Sequence, residues 1–211
     1  CLDESGESEN TLVLYMGDNG FLFGEHGLID KRNAYEESMR IPLMVKFPGV
    51  VSKGLKVPSM VANIDIAPTL LDVAGVRIPE HMDGRSFSPM LKGKNTPWRQ
   101  YLLYEYFWER NYPQTPTTHS LRGDRFKYIR YHGIWDKDEL YDLESDPDEL
   151  QNLIREPQHQ SRIKDMNRVL FDMLELSKGK EIPLQRDRGT QFFHRAAGGS
   201  SASGFTSDFY Q

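Results

Sequence analysis

Apolar residues fall into three rhythms along this chain. Thr11 to Met16 (TLVLYM) is a short continuous apolar run, stopped by Gly17-Asp18-Asn19-Gly20. A run without alternation predicts a strand buried on both faces, as in the parallel sheet of an α/β fold. Ile41 to Phe47 (IPLMVKF) predicts a second strand, ended by Pro48-Gly49. Between them, Phe21 to Arg40 keeps neither period and carries Gly24, Gly27 and many polar groups. It predicts a shaped loop, long for an idle connection and so a candidate to line a site.

The second rhythm is helical. Ile66, Leu70, Val73 and Ala74 fall on one face at offsets i, i+4, i+7 and i+8, with Asp65 or Asn63 as N-cap, Pro68 in the first turn and Gly75 as the stop. The third rhythm starts beyond Lys92-Gly93-Lys94. Tyr101 to Phe107, His119 to Arg122, Phe126 to Tyr131 and Glu139 to Leu143 are aromatic-rich, roughly alternating stretches between Gly, Pro and Asp turns. They predict a small antiparallel sheet with one face wet. Asp146-Pro147-Asp148-Glu149 then predicts the opening of a helical region. Ile163, Met166, Val169, Leu170, Met173 and Leu174 within Gln158 to Leu176 predict an amphipathic helix packed on that sheet. The pattern divides the chain at 1–98, 99–188 and 189–211, the last an extended or flexible tail.

Composition narrows the class. With 211 residues, 38% hydrophobic and 27% charged, the chain reads as a soluble globular protein of one to one and a half domains. Lys and Arg number 26 against 31 Asp and Glu, and no basic cluster stands clear of carboxylates, which argues against a nucleic-acid partner. No apolar run approaches the ~18 residues that cross a bilayer. The single cysteine, Cys1, excludes an internal disulfide and a zinc site built on two thiolates. Residues Cys1 to Gly6 read as the last turn of a helix reaching its Gly cap, so a piece of a longer chain is expected.

Candidate chemistry gathers between the two predicted strands. Asp18 and Asn19 offer two hard oxygen donors, suited to calcium or magnesium but too few to hold either alone. On spacing alone, Asp-Asn-Gly reads first as a plain turn. Lys31 near a divalent ion suits neutralisation of a tetrahedral oxyanion, and His26 suits protonation of a leaving alkoxide. Taken singly, His26 reads rather as a surface hydrogen-bonder, and Lys31, between Asp30 and Arg32, rather as solvated charge. Tyr35 to Arg40 reads as a helical turn with an internal ion pair.

The order of these pieces carries more than any one of them. Gly17-Asp18-Asn19-Gly20, Gly24-Glu25-His26-Gly27, Asp30-Lys31-Arg32 and Tyr35 to Pro42 closely resemble a signature region of the sulfatase family, within the alkaline-phosphatase-like superfamily. The resemblance continues through Asn63 to Leu71, Met82 to Ser86, Leu140 to Leu143, Asp146-Pro147 and Asn152-Leu153. It implies the C-terminal part of a mixed or parallel α/β sheet sandwiched by helices, joined to a small antiparallel subdomain packed by a C-terminal helix. It implies calcium ligation by Asp18 and Asn19 and contact of Lys31 with the sulfate and the leaving oxygen; His26 is carried as a site-lining residue. Gly17 stands where the family usually has Ser.

Tyr104 to Glu109, Thr115 to Thr117 and Arg130 to Asp136 look like the subgroup containing N-acetylglucosamine-6-sulfatases, which act on glycosaminoglycan or mucin-type glycans. His119 and Arg122 are then candidates to bond sugar hydroxyls, with a purely structural strand-edge pair as the alternative. The resemblance also implies a nucleophile, a Cys or Ser in a Cys/Ser-x-Pro/Ala-x-Arg context that becomes formylglycine. Neither Cys1 nor any serine here fits that context. The expectation is therefore a fragment inactive alone, lacking its nucleophile and half of its calcium ligands, from an exported sulfatase of sulfated carbohydrate. A phosphonate or phosphodiester hydrolase of the same superfamily and a non-catalytic glycan-binding subunit are the alternatives.

Overall fold

The strongest alternating stretches build one four-stranded meander. The computed structural model describes residues 1–109, 111–132, 137–177 and 179. Strands β5 (Tyr101–Tyr106), β6 (Thr118–Gly123), β7 (Phe126–Tyr131) and β8 (Glu139–Asp142) pair antiparallel in the order β5-β6-β7-β8. Leu121 lies opposite Tyr128, and Tyr128 opposite Leu140, so these side chains share one face. Helix α5 (Gln160–Leu176) covers that face with Met166, Leu170 and Leu174, all buried. Each such side chain is worth ~1.5–3 kcal/mol of burial.

The opposite face is not wet as the alternation predicts. Ile129 and Tyr141 are buried there against Leu22, Ala34 and Tyr35 from the loop between the first two predicted strands. Alternation records polar side chains such as Lys127, but not a loop folding over them. Asp146 to Glu149 also departs from expectation, forming turns rather than opening a helix. The Asp146 carboxylate accepts the N–H groups of Leu150 (3.0 Å) and Gln151 (2.8 Å), an alternative to helical hydrogen bonding. The long helix starts only after a single 3-10 turn at Pro157–His159.

The first half is built from shorter elements. Helix α1 (Leu2–Ser5) ends at Gly6 with φ 74°, as its sequence predicts. Strand β1 (Val13–Met16) pairs antiparallel with β4 (Leu43–Lys46), Val13 opposite Lys46 and Met16 opposite Leu43. The pair is thus not parallel, nor buried on both faces. Leu43 and Val45 meet a cluster of Phe87, Met90 and Leu91, while Tyr15 and Met44 stay 62% and 59% exposed. Between them lie β2 (Leu22–Phe23) and β3 (Ile29–Asp30), a two-stranded hairpin, and helix α2 (Glu36–Met39).

Helix α3 (Ile66–Val73) follows a 3-10 turn at Asn63–Asp65 and stops before Gly75, φ 70°. Its buried positions are Pro68 and Thr69, whereas Leu70 of the predicted apolar face is 44% exposed. Asp65 is an anchor rather than a side-chain cap. Fully buried, it accepts the N–H groups of Ala62 and Arg85, each at 2.8 Å, and pairs with Arg99. Gly84 is required beside it, because a Cβ there would lie 1.8 Å from the Ile64 carbonyl oxygen. Helix α4 (Ser88–Leu91) completes the half. The 189–211 tail and the Gly133 to Asp136 part of the subgroup stretch lie outside the described residues.

Candidate functional site

The end of β1 delivers Asp18 and Asn19 to one wall of a cavity of about 970 Å³, whose lining also includes Lys31, Arg40, Tyr104 and Arg122. Gly20 makes the turn possible: its N–H donates to the Ser38 carbonyl at 2.8 Å, and a Cβ there would sit 2.0 Å from the Glu37 carbonyl oxygen. On the other side, the Asn63 side-chain amide donates to the Asp18 carbonyl at 2.5 Å. The backbone of the pair is thereby held between two segments, leaving the Asp18 carboxylate exposed.

Lys31, twelve residues on, returns to the same place. Its ammonium donates to Asn19 Oδ1 at 3.2 Å, and its carbonyl accepts the Ser38 hydroxyl at 2.5 Å. An amide oxygen in contact with an ammonium, and an exposed carboxylate on the same cavity lining, make a combination that can bind a cation and an oxyanion side by side. Asp18 and Asn19 fit a calcium ion by donor type, as two of the six to eight oxygens that ion takes.

His26 turns away from this point. It has a left-handed backbone (φ 55°), stacks on Tyr35 with ring centroids 3.8 Å apart, and sets Nε2 3.6 Å from Glu37 Oε2. It is not among the residues that line this cavity. Its neighbourhood is a second polar cluster. Ligand atoms of His26, Glu37 and Glu149 lie within 4.8 Å of one another, close enough to hold a divalent cation. Lys127, fully buried, sets its ammonium 2.7 Å from Glu149 Oε1 and 2.9 Å from Glu36 Oε1, and donates to the Ala34 carbonyl at 2.8 Å. A positive charge is therefore already in place.

Burial alone would raise the Glu36 carboxyl, but Lys127 and Arg122 hold it below the usual carboxylate range. Glu149 moves the other way, since its burial outweighs the pull of Lys127. Next to them, Glu139 accepts the hydroxyls of Tyr35 and Tyr141, each at 3.1 Å, and is raised by burial; burial pushes Tyr35 up to about 12.

His119 and Arg122 do not form one subsite. Three positions apart in β6, they project from opposite faces of the sheet. Arg122 reaches the cavity and pairs with Glu36 at 3.2 Å. His119 is 1% exposed, with Nδ1 2.7 Å from His132 Nε2. Burial pulls it down to about 4, with His132 and Arg130 adding to the shift. Glu36, Lys127 and Glu149 were not legible as partners, because their meeting depends on contacts across roughly a hundred residues. The one local signal was a Lys at an inward strand position.

Comparison with known proteins bears on both halves. The family described as N-sulphoglucosamine sulphohydrolase, C-terminal, matches residues 24–175. An N-acetylglucosamine-6-O-sulfatase of Bacteroides thetaiotaomicron is 35% identical over 178 residues, covering 80% of this chain and 31% of that protein. A solved structure described as in complex with its substrate D-glucosamine-2-N,6-O-disulfate superposes with a TM-score of 0.80 at 31% identity, over 87% of this chain and 38% of the other. A phosphonate monoester hydrolase of Agrobacterium radiobacter superposes with a TM-score of 0.73 at 25% identity, over 83% of this chain and 37% of the other. The chain spans about a third of the length of the curated relatives it matches first.

Proposed function

Because the chain belongs to the sulfatase family of the alkaline-phosphatase-like superfamily, as a C-terminal portion, we propose that it supplies one wall of the active site of a sulfuric-ester hydrolase. The observation that carries this reading is the Lys31 ammonium 3.2 Å from Asn19 Oδ1, beside the exposed Asp18 carboxylate on the cavity wall. Few arrangements serve a dianionic or monoanionic ester better than a fixed cation donor next to hard oxygen ligands.

In this reading Lys31 neutralises charge growing on the sulfate oxygens and the leaving oxygen as the ester bond breaks. Asp18 and Asn19 would hold calcium, which when bound polarises the sulfate group. Ser38 and Gly20 keep the Lys31 and Asn19 segments in register. Arg122, tethered by Glu36, faces the cavity where it can donate to sugar hydroxyls or to a second anionic group. His26 and His119 have structural roles here, the first stacking the loop and the second inside the sheet. The formylglycine nucleophile belongs outside this chain, so the 211 residues alone do not turn over.

The best substrate class is a sulfated sugar, with 6-sulfated N-acetylglucosamine of glycosaminoglycan or mucin glycans first, supported by the relative and the structure described above. Export to a periplasmic, secreted or lysosomal location goes with that substrate. Likeness to the phosphonate monoester hydrolase favours one second reading, a phosphonate or phosphodiester hydrolase built on the same lysine and metal ligands. Assaying the full-length protein on N-acetylglucosamine 6-sulfate, other sulfated sugars and a phosphonate monoester separates them. Fastest release of sulfate from the 6-sulfate supports the first reading; hydrolysis of the phosphonate alone overturns it.

A further inference from the structure

The Lys31 and Asn19 segments meet at a single residue, Ser38. The Ser38 hydroxyl donates to the Lys31 carbonyl at 2.5 Å, and its carbonyl accepts the Gly20 N–H, next to Asn19, at 2.8 Å. Whatever fixes Ser38 therefore fixes both partners of the Lys31–Asn19 contact. Ser38 lies in α2, a helix of only four residues that is too short to hold its own shape.

Its support comes from the antiparallel sheet and the turn after it. Glu149 Oε2 accepts the Glu36 N–H at 2.6 Å, satisfying a free donor at the start of α2. Lys127, on β7, pairs with Glu36 Oε1 at 2.9 Å and donates to the Ala34 carbonyl just before the helix. Lys127 and Glu149 are also ion-paired at 2.7 Å, and each is about 1% exposed or less. Among the described residues, His26 and Glu149 are the two non-glycine positions with left-handed backbone, and both project into this cluster. Such conformations persist where surrounding contacts over-determine them.

We infer that Lys127 and Glu149, which do not line the cavity, are positioning residues that set Lys31 and Asn19 through α2 and Ser38. The same His26, Glu37 and Glu149 atoms could receive a cation, but the Lys127 ammonium 2.7 Å from Glu149 already balances the buried carboxylate. A clamp explains what a metal site leaves aside: the hydrogen bond to the backbone of Glu36 and the donation to the Ala34 carbonyl.

The kinetic part of this inference rests on the sulfatase reading, whereas the coupling from Lys127 to Ser38 does not. The test uses the full-length protein containing this chain, in wild-type form and as Lys127→Met, Lys127→Arg, Glu149→Gln and Ser38→Ala. Amide hydrogen exchange is followed at Gly20 and across residues 31–38, with sulfate release from N-acetylglucosamine 6-sulfate measured in parallel. Lys127→Met is expected to speed exchange in these segments while β5 to β8 and α5 stay protected. Its kcat is expected to fall roughly 10- to 100-fold with KM changed by less than about threefold, as for a displaced catalytic group. Lys127→Arg should recover part of the loss. Ser38→Ala, which removes one hydroxyl, should reproduce the kcat loss even if Lys127→Met does not fold. Unchanged exchange at Gly20 and residues 31–38, or exchange raised equally throughout the sheet, would overturn the clamp. A wild-type protein that releases sulfate neither from N-acetylglucosamine 6-sulfate nor from other sulfated sugars would overturn the sulfatase reading instead, leaving the exchange result to decide the coupling.

Discussion

His119 Nδ1 lies 2.7 Å from His132 Nε2 inside the sheet, a histidine pair with room for little positive charge. Burial pulls His119 down to about 4 and lowers His132 as well. Both folded-state values lie below the unfolded value of about 6.5, so the unfolded chain binds more protons between those limits. The contribution of the pair is fully present above pH ~6.5 and is lost as pH falls toward about 4. Urea titrations at pH 7.5 and 4.5 should show a fall of up to about 3 kcal/mol that His119→Gln flattens. An acid-sensitivity unchanged by that substitution would remove the pair from the explanation.

Asp65 offers a test of packing rather than protonation. It joins three segments by accepting from Ala62 and Arg85 and pairing with Arg99, and its side chain has no exposed surface. Asp65→Asn keeps the size but leaves Arg99 without a counter-charge, which should cost about 3–5 kcal/mol in urea unfolding. Asp72→Asn, at an exposed position, should cost less than about 1 kcal/mol.

Gly20 separates close approach from backbone freedom. In Gly20→Ala the methyl would meet the Glu37 carbonyl at 2.0 Å, so the turn holding Asn19 must open and activity should fall more than about tenfold. Gly75, with φ 70° and open space around it, should lose only about 1 kcal/mol as Ala, with activity retained. Equal effects of the two substitutions on activity would contradict the proposed site.

Metal removal tests the two oxygen donors. Chelation should abolish turnover of the full-length protein, calcium should restore it, and Asp18→Asn should raise the calcium concentration needed by roughly ten- to a hundredfold. Glu37→Gln, at the other cluster, should leave the calcium requirement unchanged. A requirement moved by Glu37→Gln and not by Asp18→Asn would transfer the metal to His26, Glu37 and Glu149.

How far the sequence carries depends on the range of the contacts involved. Strand β7 spans Phe126 to Tyr131 as its alternation predicts, and α5 shows its stripe at Met166, Leu170 and Leu174, because both signals are local periods. The order of motifs around Asp18, Asn19 and Lys31 also predicts their meeting. The burial of Lys127 is not legible locally, since Glu36 and Ala34 lie on a remote segment and Glu149 lies beyond the next strand. Leu70 misleads for a related reason: periodicity marks an apolar face but not whether the described residues cover it. His119 and Arg122 are different, because a spacing of three in a strand already separates their faces and the period alone excludes a shared subsite.

The most direct test of the central claim is sulfate release by the full-length protein with and without the Lys31 ammonium. On N-acetylglucosamine 6-sulfate, Lys31→Ala should lower kcat at least about 100-fold while the fold, judged by circular dichroism and unfolding midpoint, stays intact. A folded Lys31→Ala protein as active as the parent would contradict the account.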